Sequence, residues 1–234
     1  MTATPDTYTR LRTVYDEGRI LRGDWARTGA DGRQMLCLLA AASPEVERTH
    51  RADACPASVM PAWVAHLTSG LDDSVSLDAW PEVTRRYVET ARGWNMLDTA
   101  AWRRVQVAML IEVMCVMLPH AGASVGVVDA VLDLLRREAA GDVPSEEEWR
   151  ASAATAVSAA SAAWAASAWA AAWAAAWAAA WAASAARAAW AAATNAAAAG
   201  AAGAATEAAR AAAWDRIADA FLTALEAEVA AVLA

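Results

Sequence analysis

The sequence predicts an all-α protein: a compact multi-helix N-terminal domain over residues 1–143, a long Ala/Trp-rich helix over 144–203, straight or folded back, and a C-terminal amphipathic helix over 204–234. Three observations carry that prediction. Between positions 151 and 206, 37 of 56 residues are alanine, the strongest helix former, which makes helix the default over the whole stretch. Elsewhere apolar residues recur at three- and four-residue steps, the spacing of one helical face. The breaks between these runs carry helix caps, with a short polar side chain just before the first turn. No strand is expected; the most β-like stretch, Val125-Gly-Val-Val128, merges into a helical pattern.

In chain order, 7–21 reads as a first helix ended by Gly23, and 32–42, which includes Met35-Leu-Cys-Leu-Leu-Ala-Ala41, as a second. Ser43-Pro44-Glu45 opens a short third helix, with a capping serine and a proline at the first helical position. The next helix is expected to open at 53–56, run through Trp63 and Leu67 and stop at Gly70, leaving Asp72-Asp73 as a solvated turn. Asp78 is placed to cap 79–96 and Asp98 to cap 99–118, which Pro119 ends. Within that last helix, 105–118 is apolar on every side except for Gln106 and Glu112, so protein must surround it. Fourteen residues are too few to cross a bilayer, which needs about 20.

A further amphipathic helix is expected over 124–140, with Arg136 and Arg137 favourably placed in its last turn and Gly141 as its stop. After the break at 141–144, Ser145 and Glu148 form a capping box for the Ala/Trp helix. Nothing interrupts it before Gly200, so about 55 residues, roughly 80 Å at 1.5 Å per residue, are available to one rod. In the final segment Trp214, Ile217, Phe221 and Leu225 share one face for docking, and Asp215, Asp219, Glu226 and Glu228 are available for solvent.

Six tryptophans, Trp164, Trp169, Trp173, Trp177, Trp181 and Trp190, stand mostly four residues apart in the alanine-rich run and form a slowly winding indole stripe. The run holds a single charge, Arg187, and no Asp, Glu, His or Cys over 151–206, so it can pack but cannot catalyse. Its indoles pack inside the protein, serve as a contact face for a protein partner or another copy of the chain, or lie on a membrane surface. Tryptophan is the leading hot-spot residue of interfaces, whereas an evenly spaced stripe is a poor transmembrane span.

Other chemistry is sparse. Twenty-seven acidic residues outweigh 19 arginines in a chain without lysine, and the net charge of −8 disfavours nucleic-acid binding. Three cysteines, none in C-x-x-C spacing, do not suggest a disulfide framework, and a polar N-terminus lacks a secretory leader; both point to the cytoplasm. Cys37, His50, Cys55 and His66 lie within 30 residues but not at zinc-finger spacing, so no metal is expected. Glu112 needs a partner, for which Arg85, Arg86, Arg103 and Arg104 are the candidates. Walker, nucleophile-elbow, zincin and dinucleotide motifs are absent, so neither enzyme activity nor a cofactor is expected.

The stretches Cys37-Leu-Leu-Ala-Ala-Ala-Ser-Pro-Glu-Val46, Ala54-Cys-Pro-Ala-Ser-Val-Met-Pro-Ala-Trp63 and Trp214-Asp-Arg-Ile-Ala-Asp219, with an Ala/Trp-rich helix before the last, resemble a group of uncharacterised helical proteins of phages, prophages and high-GC bacteria. Some of that group carry the label immunity protein, meaning an inhibitor of a toxin. The resemblance implies a non-enzymatic accessory protein that acts by binding, and it transfers no catalytic residues.

Overall fold

The computed structural model describes residues 6–121, 125–162 and 207–234. Its architecture is all-α, with one small hairpin. Helix α1 (Thr7–Asp16) is capped by Asp6, whose carboxylate accepts the Thr9 N–H at 2.8 Å. It closes earlier than residue 21: Gly18 takes a left-handed φ of +64°, and the Arg19 N–H turns back to the Val14 carbonyl.

A β-hairpin follows α1, where no strand is expected. Residues Ala26–Thr28 (β1) and Gln34–Leu36 (β2) pair antiparallel, with Ala26 opposite Leu36 and Thr28 opposite Gln34. The helix expected over 32–42 is therefore only Leu38–Ala42 (α2), every residue of which is buried. Its N-terminal part goes to β2 because the Asp31-Gly32 step makes a turn: Gly32 sits at φ +77° and the Asp31 carboxylate accepts the Arg33 N–H at 3.0 Å. Ser43 then caps α3 (Pro44–Thr49).

Helix α4 (Ala62–Ser74) starts only after Pro61, and residues 52–54 form a separate short 3-10 turn. Nor does Gly70 stop it. That glycine lies inside α4 because a Cβ there would stand 2.5 Å from the ring edge of Trp214. The C-terminal end is closed by Arg22, whose guanidinium donates to the Asp72 carbonyl at 2.9 Å and to the Val75 carbonyl, and lies over the Trp80 ring at 5.9 Å. Helix α5 (Trp80–Thr90) runs into a 3-10 turn at Ala91–Met96; Asp78 does not cap it, no side-chain hydrogen bond caps its N-terminus, and Ser76 Oγ accepts the Ala79 N–H at 3.1 Å in the turn just before it.

Asp98 caps α6 (Thr99–Met117), with its carboxylate accepting the Ala101 N–H at 2.7 Å. Helix α7 (Val125–Ala139) ends at Gly141, φ +88°. The capping box opens α8 (Glu146–Ala162): Ser145 Oγ accepts the Glu148 N–H, and Glu148 accepts the Ser145 N–H at 2.7 Å. The Arg137 guanidinium, and after it the bonds from Ser145, hold the Glu148 carboxyl down, to about 2.

The C-terminal helix α9 (Glu207–Leu233) completes the core. α6 is the central rod, with Val105, Met109, Leu110, Val113, Met114 and Met117 buried, and it packs against α9 and α7. An edge-to-face chain of rings crosses this centre: Phe221 on Trp63 at 6.0 Å, Trp63 on Trp102 at 6.2 Å, Trp102 on Trp94 at 6.5 Å and Trp94 on Tyr87 at 5.0 Å. Docking of α9 is keyed at two places by missing side chains, since Trp214 sits over Gly70 and Val229 over Gly93.

Charge adds direction to that docking. The carboxylates of α9 expected to face solvent are engaged with the rest of the protein. Asp215 accepts the Ser76 N–H at 2.8 Å, Asp219 and Glu226 grip Arg86 at 2.7 and 2.8 Å, and Glu228 holds Arg104 through two bonds of 2.6 Å. Arg86 is only 14% exposed, so its clasp is screened less than an ordinary surface pair.

Candidate functional site

Trp164, Trp169, Trp173, Trp177, Trp181 and Trp190 lie outside the described residues. Five of the other indoles, those of Trp63, Trp94, Trp102, Trp149 and Trp214, are buried.

Glu112 is paired, but with none of the four arginines expected. Arg216 of α9 meets it at 2.5 Å, while Arg85 binds Glu82, Arg86 binds Asp219 and Glu226, Arg103 binds Glu138, and Arg104 binds Glu228. The reason is topological: α9 lies along α6 and brings its own arginine to that face. At 24% exposure, the Glu112 side chain belongs to a helix-to-helix tie at the edge of the core.

Cys37, His50, Cys55 and His66 do not form a metal centre. Among the described residues no three His, Cys, Asp or Glu side chains are arranged to hold a metal ion. His50 takes a left-handed φ of 55° at the end of α3 and is exposed. Both Cys37 and Cys55 are buried, which raises their thiols, Cys55 to about 12. Ellman's reagent on the native protein should therefore titrate Cys115 alone, with Cys37 and Cys55 reacting only after denaturation; fast release of more than one thiol would contradict this burial.

The site that the sequence did not disclose is Asp72. Expected in a solvated turn, it lies in the last turn of α4, 4% exposed, beside Cys37. Burial pushes its carboxyl well above the usual carboxylate range, against the Leu38 N–H and the Cys37 thiol, which favour the charged form. Its Oδ1 has no hydrogen-bond partner. Asp72 lines a cavity of about 160 Å³ together with Asp24, Trp25, Cys37, Ser69 and Asp73. Arg22 is the guanidinium next to these carboxylates, and its hydrogen bonds go to the main-chain carbonyls of residues 72, 73 and 75.

An aspartate whose carboxyl is raised by burial contributes stability that is present below its unfolded value, about 3.9, and is lost as pH rises through its higher folded value. Asp72→Asn keeps the shape without the titrating group. It should therefore raise Tm at pH 7.5 by roughly 2–4 °C, the equivalent of about 1 kcal/mol in a chain of this size, with the gain shrinking toward pH 4. Paired thermal scans at the two pH values decide, and a lower Tm at pH 7.5 would show that the charged carboxylate is needed.

Two larger concavities lie elsewhere on the described surface. A cavity of about 410 Å³ between α1, α3 and the 91–96 turn is lined by Tyr8, Arg10, Glu45, Arg92 and Trp94, of mixed charge. An apolar groove of about 460 Å³ runs between α7 and α8 along Val127, Ala130, Leu134 and Ala151. No helix among the described residues is long and apolar enough to cross a membrane. Comparison of the chain with protein-family models, with curated proteins and with solved structures finds no match.

Proposed function

We propose that this chain is a non-enzymatic protein-interaction protein whose indole stripe, Trp164, Trp169, Trp173, Trp177, Trp181 and Trp190, is its contact surface for a protein partner or for another copy of itself. One observation carries the reading: the described residues form a hydrophobic core among themselves. Helix α6 is enclosed by α9 and α7, and Trp63, Trp94, Trp102, Trp149 and Trp214 are already buried within 6–162 and 207–234. Six more indoles in one run of the sequence add a large amount of apolar surface, and apolar surface of this extent is characteristic of interfaces. The absence of charge over most of the run suits the centre of an interface, where charged residues are depleted. In biological terms the reading is an inhibitor of the immunity or anti-defence type, or an oligomeric scaffold, carried by a phage or other mobile element. Such a protein works by occupying a partner's surface.

The test replaces Trp169, Trp173, Trp177 and Trp181 together by alanine, a change that keeps helix propensity and removes the ridge. Sedimentation equilibrium and thermal unfolding are then compared with wild type, with anionic vesicles added in a parallel series. We expect wild-type self-association or capture of a partner to be lost while Tm moves by less than about 3 °C, a shift worth roughly 1 kcal/mol here. A collapse of Tm would place the stripe inside the fold and end the interaction reading. Vesicle binding that the variant loses would replace the protein partner with a lipid surface.

A further inference from the structure

We infer that the cavity between the 23–25 turn and the end of α4 receives a cationic nitrogen group, an alkylguanidinium or alkylammonium, held by Asp72 with Asp24 and Asp73 at the rim and the Trp25 indole as a wall. Four features of the cavity lead there. The pocket carries three carboxyl groups and, among the described residues, no arginine side chain lines it. The nearest guanidinium, Arg22, gives its donors to the main-chain carbonyls at the end of α4 and leaves the carboxyl groups without an N–H partner from its side chain. Asp72 is 96% buried and one of its oxygens is unpartnered, the arrangement that an incoming donor would complete. Lastly, an indole lines the same cavity, and the face of a tryptophan is the best of the aromatic surfaces for a cation.

The same geometry discriminates between cations. No three acidic, thiol or imidazole groups here are arranged to hold a metal ion, so a point charge demanding several ligands at short range is not served. A guanidinium spreads five N–H donors over a plane, and an ammonium offers three, so either has donors for more than one of the carboxyl groups that line the cavity. At about 160 Å³ the cavity suits such a headgroup rather than a larger ligand. Burial favours the neutral form of the Asp72 carboxyl, and a cation in the cavity would favour its ionised form. Two sources present this chemistry, an arginine or lysine side chain of a partner protein and a free amine or guanidine. The protein source rests on the interaction reading above, whereas the site itself does not.

The experiment is a heteronuclear NMR titration of the full chain with methylguanidinium chloride, against urea, its neutral planar counterpart, at matched ionic strength. Saturable shifts are expected at the amides of residues 23–25, 37 and 69–73, with a Kd of about 1–10 mM, the strength open to a ligand of so few atoms. Urea should produce none. Asp72→Asn should weaken binding about tenfold and the rim variant Asp73→Asn about threefold, from loss of one charge–charge contact each; the rim residue gives an independent answer should the buried variant unfold. Shifts that do not saturate, that urea reproduces, or that both variants leave unchanged would overturn the proposal. A parallel arm uses acetyl-Gly-Arg-Gly-amide: binding at or below the methylguanidinium Kd assigns the site to a protein side chain, and binding of methylguanidinium alone assigns it to a free guanidine or amine. Failure of the tryptophan variant to lose self-association leaves this titration untouched, so the two readings stand or fall separately.

Discussion

Gly70→Val is expected to cost about 3 kcal/mol of stability, seen as a fall in Tm of roughly 6–12 °C in a chain of this length. The cause is not the helix. Glycine inside a helix is unfavourable by about 1 kcal/mol relative to alanine, so intrinsic propensity alone predicts that Gly70→Ala stabilises the protein. Against that gain stands the geometry: a Cβ at position 70 falls 2.5 Å from the Cη2 of Trp214, and other atoms of the same six-membered ring stand 3.1 and 3.3 Å away. Trp214 is only 1% exposed and belongs to the apolar face that seats α9, so it has little freedom to retreat. Either α9 lifts from α4 or the indole leaves its rotamer, and both undo contacts along the helix. Because the clash is with the outer ring of an indole, Trp214→Phe in the Gly70→Ala background should recover stability relative to Gly70→Ala alone. Urea unfolding of the two single variants and the double variant measures that coupling. A Gly70→Ala protein more stable than wild type would mean that α9 does not seat on α4 in this way.

Gly70 also shows where the sequence stopped being informative. As a residue it reads equally well as a helix stop or as a place where another element comes close, and the choice depends on Trp214, 144 positions away. Features whose partners are local were legible: Asp98 and the Ala101 N–H, Ser145 with Glu148, Ser43 with Pro44, and the left-handed Gly141 each lie within a few residues of what they satisfy. The hairpin was missed because strands of three residues are too short for an alternating pattern, although Asp31-Gly32 carried the turn signal. Asp72 was misplaced because two successive aspartates look like a solvated turn, whereas one of them, on the inner side of α4, is enclosed against Cys37 and the other stays at the surface. The acidic residues of α9 were read as solvent-facing by default, since their partners Ser76, Arg86 and Arg104 come from a distant part of the chain. The all-α class survives all of these differences because it rests on propensity and spacing summed over many residues, while each correction concerns one pairing across a long separation.

Phe221→Ala is expected to destabilise the protein by about 3–5 kcal/mol, the usual cost of emptying a fully enclosed aromatic site. Phe221 is the chain's one phenylalanine, it is 0% exposed, and it meets Trp63 edge-on at 6.0 Å and 84°. Removal leaves a void between α9, α4 and α6, bounded by rings that are themselves fixed: Trp63 is held against Trp102, Trp102 against Trp94, and Trp94 against Tyr87, whose hydroxyl is tied to Thr68 at 2.8 Å. A flexible wall would collapse into the void and lower the cost; linked rings cannot do so without breaking several contacts together. Phe221→Leu fills much of the volume but has no ring edge, so it should lie between the two, near 1–2 kcal/mol. The part specific to the aromatic pair is isolated by a cycle with Trp63→Leu, where a coupling of about 0.5–1.5 kcal/mol is expected. Additive losses in that cycle would reduce the ring chain to ordinary packing. Since whole domains are stable by only about 5–15 kcal/mol, Phe221→Ala alone would remove a large share of the total. That loss would come from a residue on α9, the last helix of the chain, which closes a core built mainly from residues more than 100 positions earlier.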